Sequence, residues 1–157
     1  MLIDFRQPAC SFFAYYLLRE KLRFNLKLAP GQEKFVSHPI RSLAQAYVYR
    51  KQCRPFGIYA DGRMVGYVMV IYDYDVPEYD IWHMMIDASE QGKGYGSEAL
   101  DRVLGFIKRK PFGKSDLVAL TCNKENAVAL KLYERKGFIP SGSEYDDEIE
   151  LILNLDQ

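Results

Sequence analysis

Gln91-Gly92-Lys93-Gly94-Tyr95-Gly96 lies between a strand-like run, Asp80 to Ile86, and a helix-like run, Ser97 to Lys110. Glycines at such a junction leave backbone N–H groups uncovered beside a helix N-terminus, which carries partial positive charge. That pairing makes a site for a phosphate or pyrophosphate. Downstream, a helix beginning near Gly94 sets Leu100, Val103, Leu104 and Ile107 on one stripe, the spacing of a face packed on a core. Pro111-Phe112-Gly113 breaks it. Leu117 to Thr121 reads as a buried strand, and Asn123 to Lys136 as a second amphipathic helix stopped by Gly137 in the C′ position. Asn123 is the more obvious cap of that helix. Glu148 to Leu155 alternates as a last strand.

Upstream, Phe56 to Ala60 and Met64 to Tyr72 are apolar, β-branched or aromatic, and Asp61-Gly62-Arg63 joins them. Asp-Gly between two such runs predicts a hairpin. Asp73 to Glu78 reads as an acidic turn. Ser42 is expected to cap a helix through Leu43, Ala46 and Tyr47, with Cys53-Arg54-Pro55 ending it. Leu2 to Phe5 reads as a short strand, and Pro8 opens a helix through about Lys21. Hairpins first and strand–helix–strand units later predict an α/β fold, a mixed sheet flanked by helices.

The 157 residues, 48% hydrophobic and 27% charged, are expected to form one domain, 1–157, with its own core. The 21 basic and 21 acidic residues balance, so no overall basic excess points to nucleic acid or an anionic membrane. The apolar run Cys10 to Leu18 is too short to span a bilayer, which needs about 20 residues. Cys10, Cys53 and Cys122 form an odd, scattered set, read as reduced thiols of a cytoplasmic protein. His38 and His83 have no metal-pair spacing, and no metal is expected.

Three glycine-loop readings compete. A Walker loop requires Gly-Lys-Ser/Thr after Gly and four residues, an order the chain lacks. In a dinucleotide fingerprint the last glycine would fall one place later than Gly96. What remains is Gln-x-x-Gly-x-Gly, carried by Gln91, Gly94 and Gly96. A second block runs from Asn126-Ala127-Val128-Ala129 through Leu132-Tyr133 to Gly137-Phe138. Together the two blocks resemble motifs A and B of the GCN5-related N-acetyltransferase (GNAT) superfamily. The resemblance covers residues 56 to 155 well and the N-terminal third loosely. Gln32 to Val36, Ser42 to Ala46, Pro55 to Tyr59 and Trp82 to Asp87 are further similar to bacterial spermine/spermidine acetyltransferases. The chain departs from these at His83-Met84, where relatives often carry an arginine.

The resemblance implies the GNAT fold, with a mostly antiparallel sheet, and acetyl-CoA as co-substrate. It implies direct acetyl transfer, in a ternary complex, to a primary amine such as spermidine or spermine. Another amine (an aminoglycoside or a peptide or protein N-terminus) and a non-catalytic acyl-CoA-binding module are the alternatives. Dimers are common in the superfamily, so a homodimer is compatible with it. By resemblance, the amides of Gln91, Gly92, Lys93, Gly94, Tyr95, Gly96 and Ser97 bind the pyrophosphate of coenzyme A. Lys93 adds charge there or is simply solvated. Met85 and Ile86 present strand backbone to the pantetheine arm. Asn126 bonds that arm or helps cap its helix. Tyr133 is a core tyrosine or the acid that protonates the departing thiolate. The attacking amine, with a pKa of about 10, must lose a proton. Candidate acceptors are Asp73, Asp75, Glu78 and Asp80, and Glu33 by family analogy. These acids would also attract a polycation. His83 is expected to pack or touch substrate. Trp82 and Met84 should face opposite His83 and Met85 by strict alternation. Glu144, Asp146, Asp147 and Glu148 line the same cleft or form a surface loop.

Overall fold

Asp61 and Gly62 both take positive φ, 49° and 74°, which lets a two-residue turn follow the twist of its strands. It joins β2 (Cys53–Ala60) to β3 (Arg63–Asp73), and a second turn leads to β4 (Glu78–Ile86). The computed structural model describes residues 11–14, 26–36 and 39–156. The remaining elements are β1 (Ser11–Ala14), α1 (Pro39–Val48), α2 (Tyr95–Ile107), β5 (Leu117–Asn123), α3 (Ala127–Arg135), β6 (Ile139–Tyr145) and β7 (Glu148–Asn154). The strands form one sheet in the order β1-β2-β3-β4-β5-β7-β6. Among the described residues only β4 and β5 pair in parallel. The helix between them, α2, makes the crossover that a parallel pair requires.

The main core lies between the sheet and α2 with α3. Ala99, Leu100, Val103 and Ile107 of α2 pack there on Val68, Val70, Tyr79, Ile81, Val118 and Leu120. A smaller cluster on the opposite face joins Ala46 of α1 to Cys53 and Met69, with Ile71 and Trp82 against it.

Several sequence expectations are corrected. Ser11–Ala14 is a strand paired antiparallel with Phe56–Tyr59, not part of a helix from Pro8; edge pairing with β2 overrides the local pattern. The rest of that helix, the strand at Leu2 to Phe5, Cys10 and His38 lie outside the described residues. Ser42 caps nothing. It sits inside α1, buried, with its hydroxyl 3.0 Å from that of Tyr67. Asn126, rather than Asn123, is the N-cap of α3 and accepts from the Ala129 amide at 3.3 Å. Asn123 instead accepts from the Glu125 amide, one turn earlier. β6 went unread because all seven of its residues are exposed, so no apolar alternation marks it.

Strict alternation also fails in β4. Val70 pairs with Ile81 but Met69 pairs with His83, leaving Trp82 as an extra residue, a β-bulge. Trp82 and His83 consequently stack on one another, ring centroids 5.3 Å apart, instead of facing opposite ways.

Candidate active site

Past Asp80, β4 and β5 part company. Their pairs are Tyr79↔Val118 and Asp80↔Ala119, and no pair follows. From Ile81 to Ile86, β4 pairs with β3 alone, so its other edge has no strand partner. A cleft of about 520 Å³ opens from this gap, within the usual range for a small-molecule site. Met84, Met85 and Ile86 line it from β4, Gln91, Gly92, Gly94, Tyr95, Gly96 and Ser97 from the loop and α2, and Asn126 and Tyr133 from α3. Motifs far apart in the chain thus meet on one wall.

The loop has the backbone its composition requires. Gly92 and Gly94 hold φ at 76° and 88°, where a side chain is strained. Gly94 is the N-cap of α2 and offers no side chain to its amides. The first helical bond is donated by Glu98 to the Gly94 carbonyl. The amides of Tyr95, Gly96 and Ser97 therefore keep no acceptor among the described residues. Gln91 braces the loop from beneath, its side-chain amide donating to the Ile86 carbonyl at 3.0 Å and to Gln32 at 2.9 Å. Lys93 stands outside the cleft wall, with its ammonium 2.9 Å from buried Glu90.

Tyr133 is 9% exposed. Burial first, then the nearby Cys122 and Asp80, push its hydroxyl well above the ordinary tyrosine range. It is thus protonated at neutral pH and able to donate. No hydrogen bond engages that hydroxyl among the described residues. Asp80 is half-buried at the point where the strands part. Burial, reinforced by Glu78, Glu150 and Asp73, pushes its carboxyl up to about 7. That value suits a group that takes and returns a proton near neutrality. Burial and the neighbouring Arg41 hold His83 down at about 4, so its imidazole is neutral.

The other predicted residues fall elsewhere. Glu33 is exposed and outside the cleft, although Gln32, Phe35 and Val36 beside it form part of the wall. Asp73 accepts from the amides of Asp75 and Val76, closing an exposed turn. Asp75 is exposed and Glu78 half-buried. Glu144 pairs with Lys124 at 2.5 Å, and Asp146 has φ 51° in the β6–β7 turn, away from the cleft lining. Leu28, Leu132, Arg135 and Lys136 also line the cleft and were not anticipated. For the last two, basic residues in the final turn of motif B's helix were the available signal. No group of His, Cys, Asp and Glu suited to a metal ion occurs among the described residues.

Residues 19–138 match the model of the acetyltransferase (GNAT) family. No curated protein matches. A GNAT family acetyltransferase from Elizabethkingia anophelis with acetyl-CoA bound is similar in structure, with a TM-score of 0.70 at 16% identity over 95% of this chain and 100% of that one. PaiA N-acetyltransferase from Thermoplasma acidophilum in complex with coenzyme A has a TM-score of 0.62 at 15% identity, covering 78% and 74%. Mutant forms of the spermidine/spermine N-acetyltransferase SpeG from Vibrio cholerae reach 0.62 at 19%, covering 74% and 73%. Two motif blocks, a sheet that splits after Asp80 and a family match across most of the chain converge on one conclusion: this chain belongs to the GNAT acetyltransferase family.

Proposed function

We propose that this protein transfers an acetyl group from acetyl-CoA to a primary amine, with polyamines such as spermidine and spermine as preferred acceptors. The observation that carries this reading is the parting of β4 from β5 after Asp80, next to a cleft that Tyr133 lines, with the Asp80 carboxyl near enough to help raise the Tyr133 hydroxyl. The residues present fit the proposed co-substrate. Uncovered amides at the start of α2 suit a pyrophosphate. The free edge of β4 at Met85 and Ile86 suits an amide-bearing arm that pairs like an added strand. Arg135 brings positive charge to the cleft wall, and Lys136 lines it with its ammonium held by Asp101 at 2.6 Å. Bound there, acetyl-CoA supplies an acetyl thioester.

The chain's own groups handle the protons. Asp80 accepts one from the ammonium, directly or through water, leaving a neutral amine nitrogen able to attack. The Tyr133 hydroxyl donates one to the sulfur that departs. Asp73, Glu78 and Glu150, unpaired with any cation among the described residues, favour a positively charged acceptor. Three of the similar structures are forms of one spermidine N-acetyltransferase, from Vibrio cholerae, which supports the polyamine reading. The thiols of Cys53 and Cys122 are free and buried, in keeping with a cytoplasmic setting.

Thiol release from acetyl-CoA, measured with and without spermidine, tests the reaction. Amine-dependent release is expected, and its absence with every amine tried would leave only a cofactor-binding module. Replacing Tyr133 with Phe should lower kcat about 100-fold while the KM for acetyl-CoA stays within about twofold. An unchanged kcat would remove Tyr133 from the mechanism.

A further inference from the structure

The sheet face turned away from α2 and α3 carries an acidic strip. Asp73 pairs with Glu78 and Ile71 with Asp80, so these acids share the face that Ile71 presents to the α1 cluster. On β7, Glu150 pairs with Thr121, two residues beyond the Asp80 partner Ala119. That register brings it to the same face. The groups feel one another: Glu78, Glu150 and Asp73 all raise Asp80, and Glu150 raises Glu78.

Two further observations point to a missing partner. The Asp80 carboxyl is half-buried and has no hydrogen bond or ion pair among the described residues. On the same face, the His83 Nε2 atom is buried without a partner. Carboxylates gathered on one face without a cation favour a positively charged partner. A single metal ion does not match, since these acids are strung out rather than gathered. Glu78 and Asp80 stand about 7 Å apart along the strand, and Glu150 lies roughly 10 Å across it. Trp82, bulged onto this face, meets the Tyr49 ring edge-on at 5.5 Å and adds an aromatic surface that attracts cations.

We propose that Glu150 is a specificity-determining residue that binds a second ammonium of the acceptor, so that the site selects diamines and longer polyamines over monoamines. This rests on the amine-acetyltransferase reading above and deepens it. Asp80 meets the reacting nitrogen, and Glu150, beyond the split, meets a nitrogen further along the same molecule. Ser141 holds Glu150 in place through a hydroxyl 2.6 Å from its carboxylate.

The test compares n-butylamine, putrescine and spermidine as acceptors in the thiol-release assay, with wild type, Glu150→Gln and Ser141→Ala. The glutamine of E150Q is isosteric and neutral, and its amide oxygen still accepts from Ser141. Wild type is expected to prefer putrescine over butylamine in kcat/KM, and E150Q to cut that preference about tenfold. S141A, which keeps the charge, should retain most of it. An unchanged preference in E150Q overturns the proposal, as does an equal loss for both amines. Calorimetric titration of spermidine into the protein with coenzyme A present gives a readout without turnover. Binding about tenfold weaker in E150Q supports the subsite, and equal binding overturns it. If no amine releases thiol, the acetyltransferase reading fails while the titration still decides the fate of Glu150.

Discussion

Asp80 shows how one side chain can trade stability for chemistry. Its carboxyl, ordinarily near 3.8, is raised to about 7 by burial and by Glu78, Glu150 and Asp73. Between those values the folded chain holds a proton that the unfolded chain has released. Its stability therefore falls as pH rises through that window and levels off above it. Asp80→Asn removes the charge and keeps the shape. The variant should match wild type near pH 4 and exceed it by on the order of 3 kcal/mol above neutrality, read from denaturant midpoints at several pH values. If Asp80 is also the base, wild-type kcat should climb through a midpoint near 7 and the variant should lose that limb. At this scale the sequence marked Asp80 only as one acid of several. Its singular state depends first on burial in the folded sheet, then on Glu78 nearby and on Glu150 from a distant strand, which no local pattern links to it. Tyr79 is a second case. Wholly buried, it donates to the Gly113 carbonyl at 2.8 Å and accepts from the amides of Phe112 and Gly113. In sequence it is one aromatic in a strand.

At the scale of elements, the start of α2 is the proposed grip on the cofactor, and Gly94 is its N-cap. Gly94→Ala puts a side chain at φ 88°, at a cost of about 1 kcal/mol. Space is not the obstacle, since nothing lies within 4 Å of the added carbon. The expected outcome is a modest fall in thermal midpoint with roughly tenfold weaker coenzyme A binding by calorimetry. Affinity equal to wild type would mean that the loop holds no diphosphate. Elements governed by local chemistry were legible. The Asp61-Gly62 turn, the Leu100–Ile107 stripe and the Gly137 stop, at φ 89°, each follow from residues within a few positions. The elements misread were those whose reason lies elsewhere. β1 exists by pairing with β2, Ser42 is buried by its contact with Tyr67, and β6 is held along β7 with no buried side chain of its own to announce it.

Across the whole molecule, residues 26–36 lie along the cleft and are fastened at both ends. Lys27 donates its amide to Asp87 at 2.7 Å and accepts from the Ala88 amide at 2.8 Å. Gln32 bonds Gln91, and Lys34 pairs with Glu125 at the start of α3. These are exposed contacts, worth little each, so the segment is expected to open easily on its own. Coenzyme A lying between Phe35 and Ile86 should hold it shut. Trypsin cleavage at Lys27 and Lys34 should therefore slow several-fold on adding coenzyme A, as followed by mass spectrometry. A rate insensitive to the ligand would place the segment outside the binding event.

The single surplus residue in β4 has a consequence for the handedness of the chemistry. Beyond Trp82 every side chain points where its predecessor would have pointed in a regular strand. Met84 and Ile86 thereby reach the face that packs against α2 and α3, while Asp80, Trp82 and His83 stay together on the opposite face. Pairing Trp82 into the ladder, with no residue removed, would turn the strand's far half over like a page. His83 would be driven into the packed interior, and Met84 and Ile86 would be carried out of it. The division of labour between the two faces is kept by one uncounted step in a ladder.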